Sequence, residues 1–191
     1  RGLGDVYKRQ GQVWQLGRHR LMCGDSTSLA DMEKLMEGQQ ADLIITDPPY
    51  NVQYVGKTKD SLTIENDSMS DGAFFSFLLD TFGCMFSYAR EGAAIYVFHA
   101  DTEGLNFRRA FKEAGFKLSE CLVWAKDVFV LGRQDYHWRH EPILYGWKEG
   151  AGHYFVNDRT QDTVLNYERP KRSEEHPTMK PVPLVGKLMQ N

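Results

Sequence analysis

The chain has 191 residues, 41% of them hydrophobic and 26% charged, with a formal net charge of −3. That length fits one domain, the hydrophobic share is enough for a core, and no apolar run approaches a membrane span or a secretory signal. The mild negative charge argues against a general basic binder of nucleic acid, while leaving room for a local basic surface.

The first ten residues, RGLGDVYKRQ, carry no apolar period and no helix or strand signal. Residues 1–10 are therefore expected to be a non-native leader, and residues 11–191 the domain proper. A short strand is predicted at Leu21–Cys23, then a helix with Leu29, Met32, Leu35 and Met36 on one face. Asp25, Ser26 or Ser28 would cap it and Gly38 would end it. Asp42–Thr46 reads as the next strand, and residues 51–69 as a long polar loop, a type that is often functional. Ser70 or Asp71 starts a second helix, with Phe74, Phe77, Leu78, Phe82 and Met85 at helical spacing. Ala93–His99 is a β run. A helix from about Glu103 to Ala114 stops at Gly115. Strands at Leu118–Ala125 and Ile143–Trp147 follow, separated by a polar, aromatic loop. The final stretch, from Pro181, begins an amphipathic helix. Cys23, Cys84 and Cys121 are far apart and odd in number, so they read as reduced core residues of a cytoplasmic protein.

Alternating strands and helices predict an α/β fold: a doubly wound, mostly parallel sheet with helices on both faces. The last two strands have no helix between them, so that pair is expected to be antiparallel. In such sheets ligands bind beyond the carboxyl ends of the strands. Three polar clusters are expected on that rim: Gly24-Asp25, Asp47-Pro48-Pro49-Tyr50, and His99-Ala100-Asp101.

The tetrapeptide carries the chemistry. Pro48 and Pro49 fix their own φ and hold their predecessors extended. Asp47 offers carboxylate oxygens and Pro48 a carbonyl, a stiff pair of acceptors suited to a planar –NH2 group. Tyr50 offers a flat face for the ring that bears it. An exocyclic amine conjugated to a ring is a poor nucleophile. Hydrogen bonds to Asp47 and the Pro48 carbonyl would hold it and favour localisation of its lone pair, with no covalent enzyme intermediate. Stacking does not need the phenol oxygen, so Tyr50→Phe is expected to be tolerated.

The segment resembles the catalytic motif of the DNA amino-methyltransferases that use S-adenosylmethionine. The blocks HRLMCGDS, DLIITDPPYNVQY, IYVFHAD, LVWAKDVFVLGRQDYHWRHEPILYGWKEG, DRTQDTV and HPTMKPVPL are similar to successive blocks of the subgroup whose catalytic motif precedes the cofactor motif. The resemblance implies a Rossmann-like methyltransferase sheet, S-adenosylmethionine as cofactor and double-stranded DNA as partner. It makes Asp47, Pro48, Pro49 and Tyr50 catalytic, and Asp25, His176, Thr178 and Lys180 cofactor-binding, with Lys180 facing the cofactor carboxylate. Asp in the first position favours adenine N6. Cytosine N4, an RNA base, or a non-catalytic nucleic-acid-binding module of this fold are the alternatives. The glycine-rich Phe-x-Gly-x-Gly loop of the family is not found, so the sheet is expected to be incomplete, lacking the cofactor-motif strands.

Other signals are weaker. His137–His140 lacks zinc-ligand spacing and reads as a polar loop, so no metal is expected. In the resemblance this loop, with Arg133 and Arg139, lies near the substrate side. Arg169–Arg172, Lys57 and Lys59 read first as solvated charge. Trp124, Trp138 and Trp147 read as packing residues. Residues 148–175 are the candidate target-recognition segment.

Overall fold

The computed structural model describes residues 10–52, 68–170 and 179–191. Strands β1 (Gln12–Leu16) and β2 (His19–Cys23) form an antiparallel hairpin, and α1 (Leu29–Met36) follows. Their connection is the two-residue turn Gly17-Arg18, with Gly17 at φ +62°, a turn class that wants glycine first. Ser28 caps α1 by accepting from the Asp31 N–H, and Glu37 and Gly38 leave the helix with positive φ. Arg20 of β2 donates to the Lys34 and Leu35 carbonyls and pairs with Glu37, which ties the hairpin to the end of α1.

This arrangement corrects the expected position of Leu21–Cys23. The stretch is not a strand of the main sheet. Its partner is Trp14 and its neighbours, next door in sequence, so the hairpin forms a separate two-stranded sheet. Cys84 is buried and Cys121, half-buried, packs against the core, but Cys23 is exposed and is not the core residue expected.

The main sheet contains β3 (Ala41–Thr46), β4 (Ala89–Phe98), β5 (Lys117–Val130), β6 (Trp138–Trp147) and β7 (Val164–Asn166), in the order β3-β4-β6-β5-β7. β3 and β4 are parallel, β6 is antiparallel to both β4 and β5, and β7 is parallel to β5. Four strands therefore run one way and β6 alone runs the other, as the missing helix between β5 and β6 predicts. Among the described residues β3 pairs on one side only. β7 is too short to show a period, and the expected reading did not include it. The stretch between Ala125 and Ile143 is also more ordered than a loop. Strands β5 and β6 extend through it as an irregular hairpin arm that pairs Val130 with Trp138.

Helices α2 (Asp71–Tyr88) and α3 (Gly104–Glu113) cover one face of the sheet, and α4 (Val182–Leu188) covers the other. β4 shows why both faces need cover. Alternate side chains of a strand point to opposite faces. Ala93, Ile95 and Val97 meet Phe74, Leu78, Phe82, Phe107 and Phe111, while Ala94, Tyr96 and Phe98 meet Leu184 and Leu188. None of the described helices is long and apolar enough to cross a membrane.

Candidate active site

Asp47 follows the last residue of β3, and His99 follows the last residue of β4. Because β3 and β4 are parallel, both lie on one rim of the sheet. β6 runs the opposite way, so its N-terminal half starts at that same rim. Phe98 pairs with Ile143, and Trp124 with Glu141. Antiparallel β6 thus delivers Glu141 to the place where the parallel strands end.

The result is a cluster of charged groups around the tetrapeptide. Asp47 Oδ1 accepts from the Tyr50 hydroxyl at 2.5 Å, and Asp47 Oδ2 takes the Lys180 ammonium at 2.9 Å. The same two donors also reach Glu141 Oε1, Tyr50 at 2.7 Å and Lys180 at 2.8 Å. Lys126 Nζ meets Glu141 Oε2 at 3.0 Å. A phenol has one proton, so Tyr50 can donate to only one carboxylate at a time. The side chains of Lys180, Glu141 and Lys126 are only 10%, 12% and 13% exposed. Charges so far from water persist because they are paired.

The electrostatics follow from this packing. Burial alone would raise the Glu141 pKa, but Lys180 and Lys126 outweigh it and hold the carboxyl below its ordinary value. Tyr50 is pushed well above the usual phenol range by burial and by the two carboxylates, so it stays a neutral donor. His99 is 1% exposed, and its Nδ1 has no partner among the described residues. Burial lowers its pKa to about 4. Its ring lies 5.2 Å from that of Phe107, which the Tyr50 ring meets edge-on at 6.3 Å.

Below the rim is a groove of about 430 Å³ between the sheet and α4. Its walls are Leu43, Ile45, Thr46, Phe98, Val185 and Met189, and Asp47 and Lys180 supply its charges. An apolar groove with a carboxylate and an ammonium at one end suits a ligand that joins an apolar body to charged groups.

The structure thus brings Asp47, Pro48, Pro49, Tyr50 and Lys180 together. His176 and Thr178 lie outside the described residues, as do Lys57, Lys59, Lys171 and Arg172. Asp25 belongs to a different part of the fold. Its carboxylate accepts from the Thr27 N–H and hydroxyl, which lowers its pKa and makes it a local turn former. The adjoining Ser26 and Thr27 rest on Thr81 and Cys84 of α2. The expected rim of three clusters is therefore a rim of two from the main sheet, with Glu141 and Lys126 as members that the sequence reading missed. Their signal was present. Glu141-Pro142, like Asp47-Pro48, sets an acid before a proline where an apolar strand meets the rim.

The β5–β6 arm rises from the same edge. Val128, Phe129, Leu131 and Tyr136 are exposed on it, and Arg133 and Arg139 stand among them. Arg139 also donates to the Lys126 carbonyl, and Phe129 stacks on His137.

A family model for N6 and N4 methyltransferases, described as DNA methylase, matches residues 41–190. DNA adenine methyltransferase YhdJ of Escherichia coli (strain K12) is 26% identical over 132 residues, covering 69% of this chain and 42% of that protein. The chain therefore spans less than half the length of that curated relative. The fold is similar to that of the M1.HpyAVI-SAM complex, with a TM-score of 0.57 at 17% identity over 87% of this chain and 73% of that one. It is also similar to M1.HpyAVI alone, with a TM-score of 0.54 at 17% identity over 78% of this chain and 66% of that one.

Proposed function

Because the chain belongs to the DNA methylase family of N6 and N4 methyltransferases, we propose that the protein it represents methylates the N6 amine of adenine in double-stranded DNA, with S-adenosylmethionine as donor. The observation that carries this reading is an acceptor at the end of β3, Asp47, set before two prolines and beside an aromatic ring and a buried lysine. The choice of adenine over cytosine rests on Asp in the first motif position and on the adenine methyltransferase relative.

In this reading the amine of a flipped-out adenine donates to Asp47 and to the Pro48 carbonyl. A carboxylate has about four acceptor positions. Tyr50 and Lys180 use two on Asp47, which leaves room for the amine. The nitrogen lone pair forms the new N–C bond as the methyl group's bond to the donor sulfur breaks, that electron pair leaving on sulfur, and Asp47 is the nearest acceptor for the proton that the nitrogen then sheds. Holding the amine in line supplies most of the acceleration, as orientation and fixed charge do generally. The Tyr50 ring offers a stacking face. S-Adenosylmethionine supplies the methyl group. The groove beside β3 would take its apolar parts, and Lys180 its carboxylate. The assignments of Asp25, His176 and Thr178 to the cofactor rest on the resemblance.

Duplex DNA would meet the β5–β6 arm, whose exposed apolar and arginine side chains stand over the same rim. Residues 148–175 remain the proposed recognition segment. A methyl-transfer assay on the full-length gene product tests the reading. Asp47→Ala should lower turnover by about two to three orders of magnitude, by analogy with loss of a transition-state hydrogen bond. Near-normal turnover in a folded Asp47→Ala protein contradicts it.

A further inference from the structure

Glu141 lies far from the tetrapeptide in sequence, yet among the described residues it touches both donors that reach the Asp47 carboxylate. Tyr50 and Lys180 each reach both carboxylates, at 2.5 and 2.7 Å for the phenol and at 2.9 and 2.8 Å for the ammonium. Glu141 is also the residue that binds Lys126, at the root of the exposed arm. Two carboxylates and two lysines balance, and the shared phenol is neutral.

The balance has a chemical purpose. Asp47 must accept from a substrate amine, so its lone pairs have to be both oriented and available. If Glu141 were neutral, Asp47 would be the remaining counter-ion for a buried lysine. Lys180 and Tyr50 would then turn wholly onto Asp47, occupying and rotating the acceptor. We propose that Glu141 is a positioning residue for the transfer: by sharing the Tyr50 hydroxyl and the Lys180 ammonium with Asp47, it keeps acceptor positions of the Asp47 carboxylate open to the target amine. This rests on the methyltransferase reading given above and adds a residue to it.

The groups that face this pair come from each packed element. They are Tyr50 after β3, His99 after β4, Lys126 on β5 and Lys180 before α4. Among the described residues, Glu141 is the carboxylate that shares Lys180 with Asp47.

The test uses the full-length protein, duplex DNA and S-adenosylmethionine. Glu141→Gln should lower kcat by about ten- to a hundredfold, the scale of a misplaced reacting group. KM for DNA should stay within about threefold, as for an interaction that acts only in the transition state. Glu141→Asp, which keeps the charge, should restore part of kcat. A kcat near wild type, or a loss that Glu141→Asp does not relieve, overturns the proposal. A second readout does not depend on turnover. In urea unfolding, Tyr50→Phe and Glu141→Ala should be non-additive, because they remove the same contact. Additive effects overturn the proposed sharing. A wild type that transfers no methyl group overturns the functional reading itself, whereas an active wild type with an uncoupled Glu141 overturns only the positioning role.

Discussion

The Tyr50 hydroxyl donates to Glu141 Oε1 at 2.7 Å, across 91 positions of sequence. The phenol oxygen is therefore part of the site, and the expectation that Tyr50→Phe is silent gives way to a graded one. Phenylalanine keeps the ring that would stack on a base but leaves the two carboxylates with Lys180 as their shared donor and without the hydroxyl. Loss of such a bond costs about 1–3 kcal/mol. The urea midpoint should fall accordingly, with the slope unchanged. Tyr50→Ala should also lose the stacking face, about 1–3 kcal/mol in base binding. An unchanged midpoint for Tyr50→Phe would show that the hydroxyl contributes nothing to the fold.

His99 gives a pH signature. Its folded pKa, about 4, lies below the ordinary value of 6.5, because burial disfavours the charged ring. Between these values the unfolded chain binds more protons than the folded one, so stability falls as pH drops. Full stability is present above 6.5, and about 3 kcal/mol is lost by pH 4. Glu141 is shifted in the same direction, its carboxyl pKa held below the ordinary 4.5 because Lys180 and Lys126 outweigh burial. Its contribution is present above that value and is lost only at lower pH, so the two windows separate. Unfolding curves from pH 7 to 4 should show a slope that His99→Phe flattens. An equal slope in the variant would assign the effect to other groups.

The arm predicts a salt effect. If Arg133 meets a phosphate, Arg133→Ala should weaken binding to duplexes of any sequence by a similar factor. It should also reduce the slope of log affinity against log salt by about one. Fluorescence anisotropy over a range of salt concentrations measures both. An unchanged slope would leave Arg133 as a solvated loop residue.

Much of the framework was legible because it depends on local rules. Ser28 and Ser70 cap helices where polar residues precede apolar periods, and β4 announces itself as a continuous apolar run. Asp47 was legible because two prolines mark the end of its strand. Glu141 was missed although the direction of its strand was expected, because the sequence reading began that strand at Ile143 and left Glu141-Pro142 in the loop before it. Leu21–Cys23 was misplaced for a different reason. Its true partner, β1, sits just across Gly17-Arg18, and a tight turn between two alternating runs outranks a distant parallel pairing. The apolar run Val128–Val130 was visible too, but the arginines and histidines after it read as loop.

The most direct test of the account is the identity of the methylated product. The full-length protein is incubated with duplex DNA and S-adenosylmethionine labelled in its methyl group. The DNA is then digested to nucleosides, which are separated. The account predicts label in N6-methyl-2′-deoxyadenosine, lost on Asp47→Ala. Label in N4-methyl-2′-deoxycytidine, no label in the DNA, or label in N6-methyl-2′-deoxyadenosine that survives Asp47→Ala would contradict it.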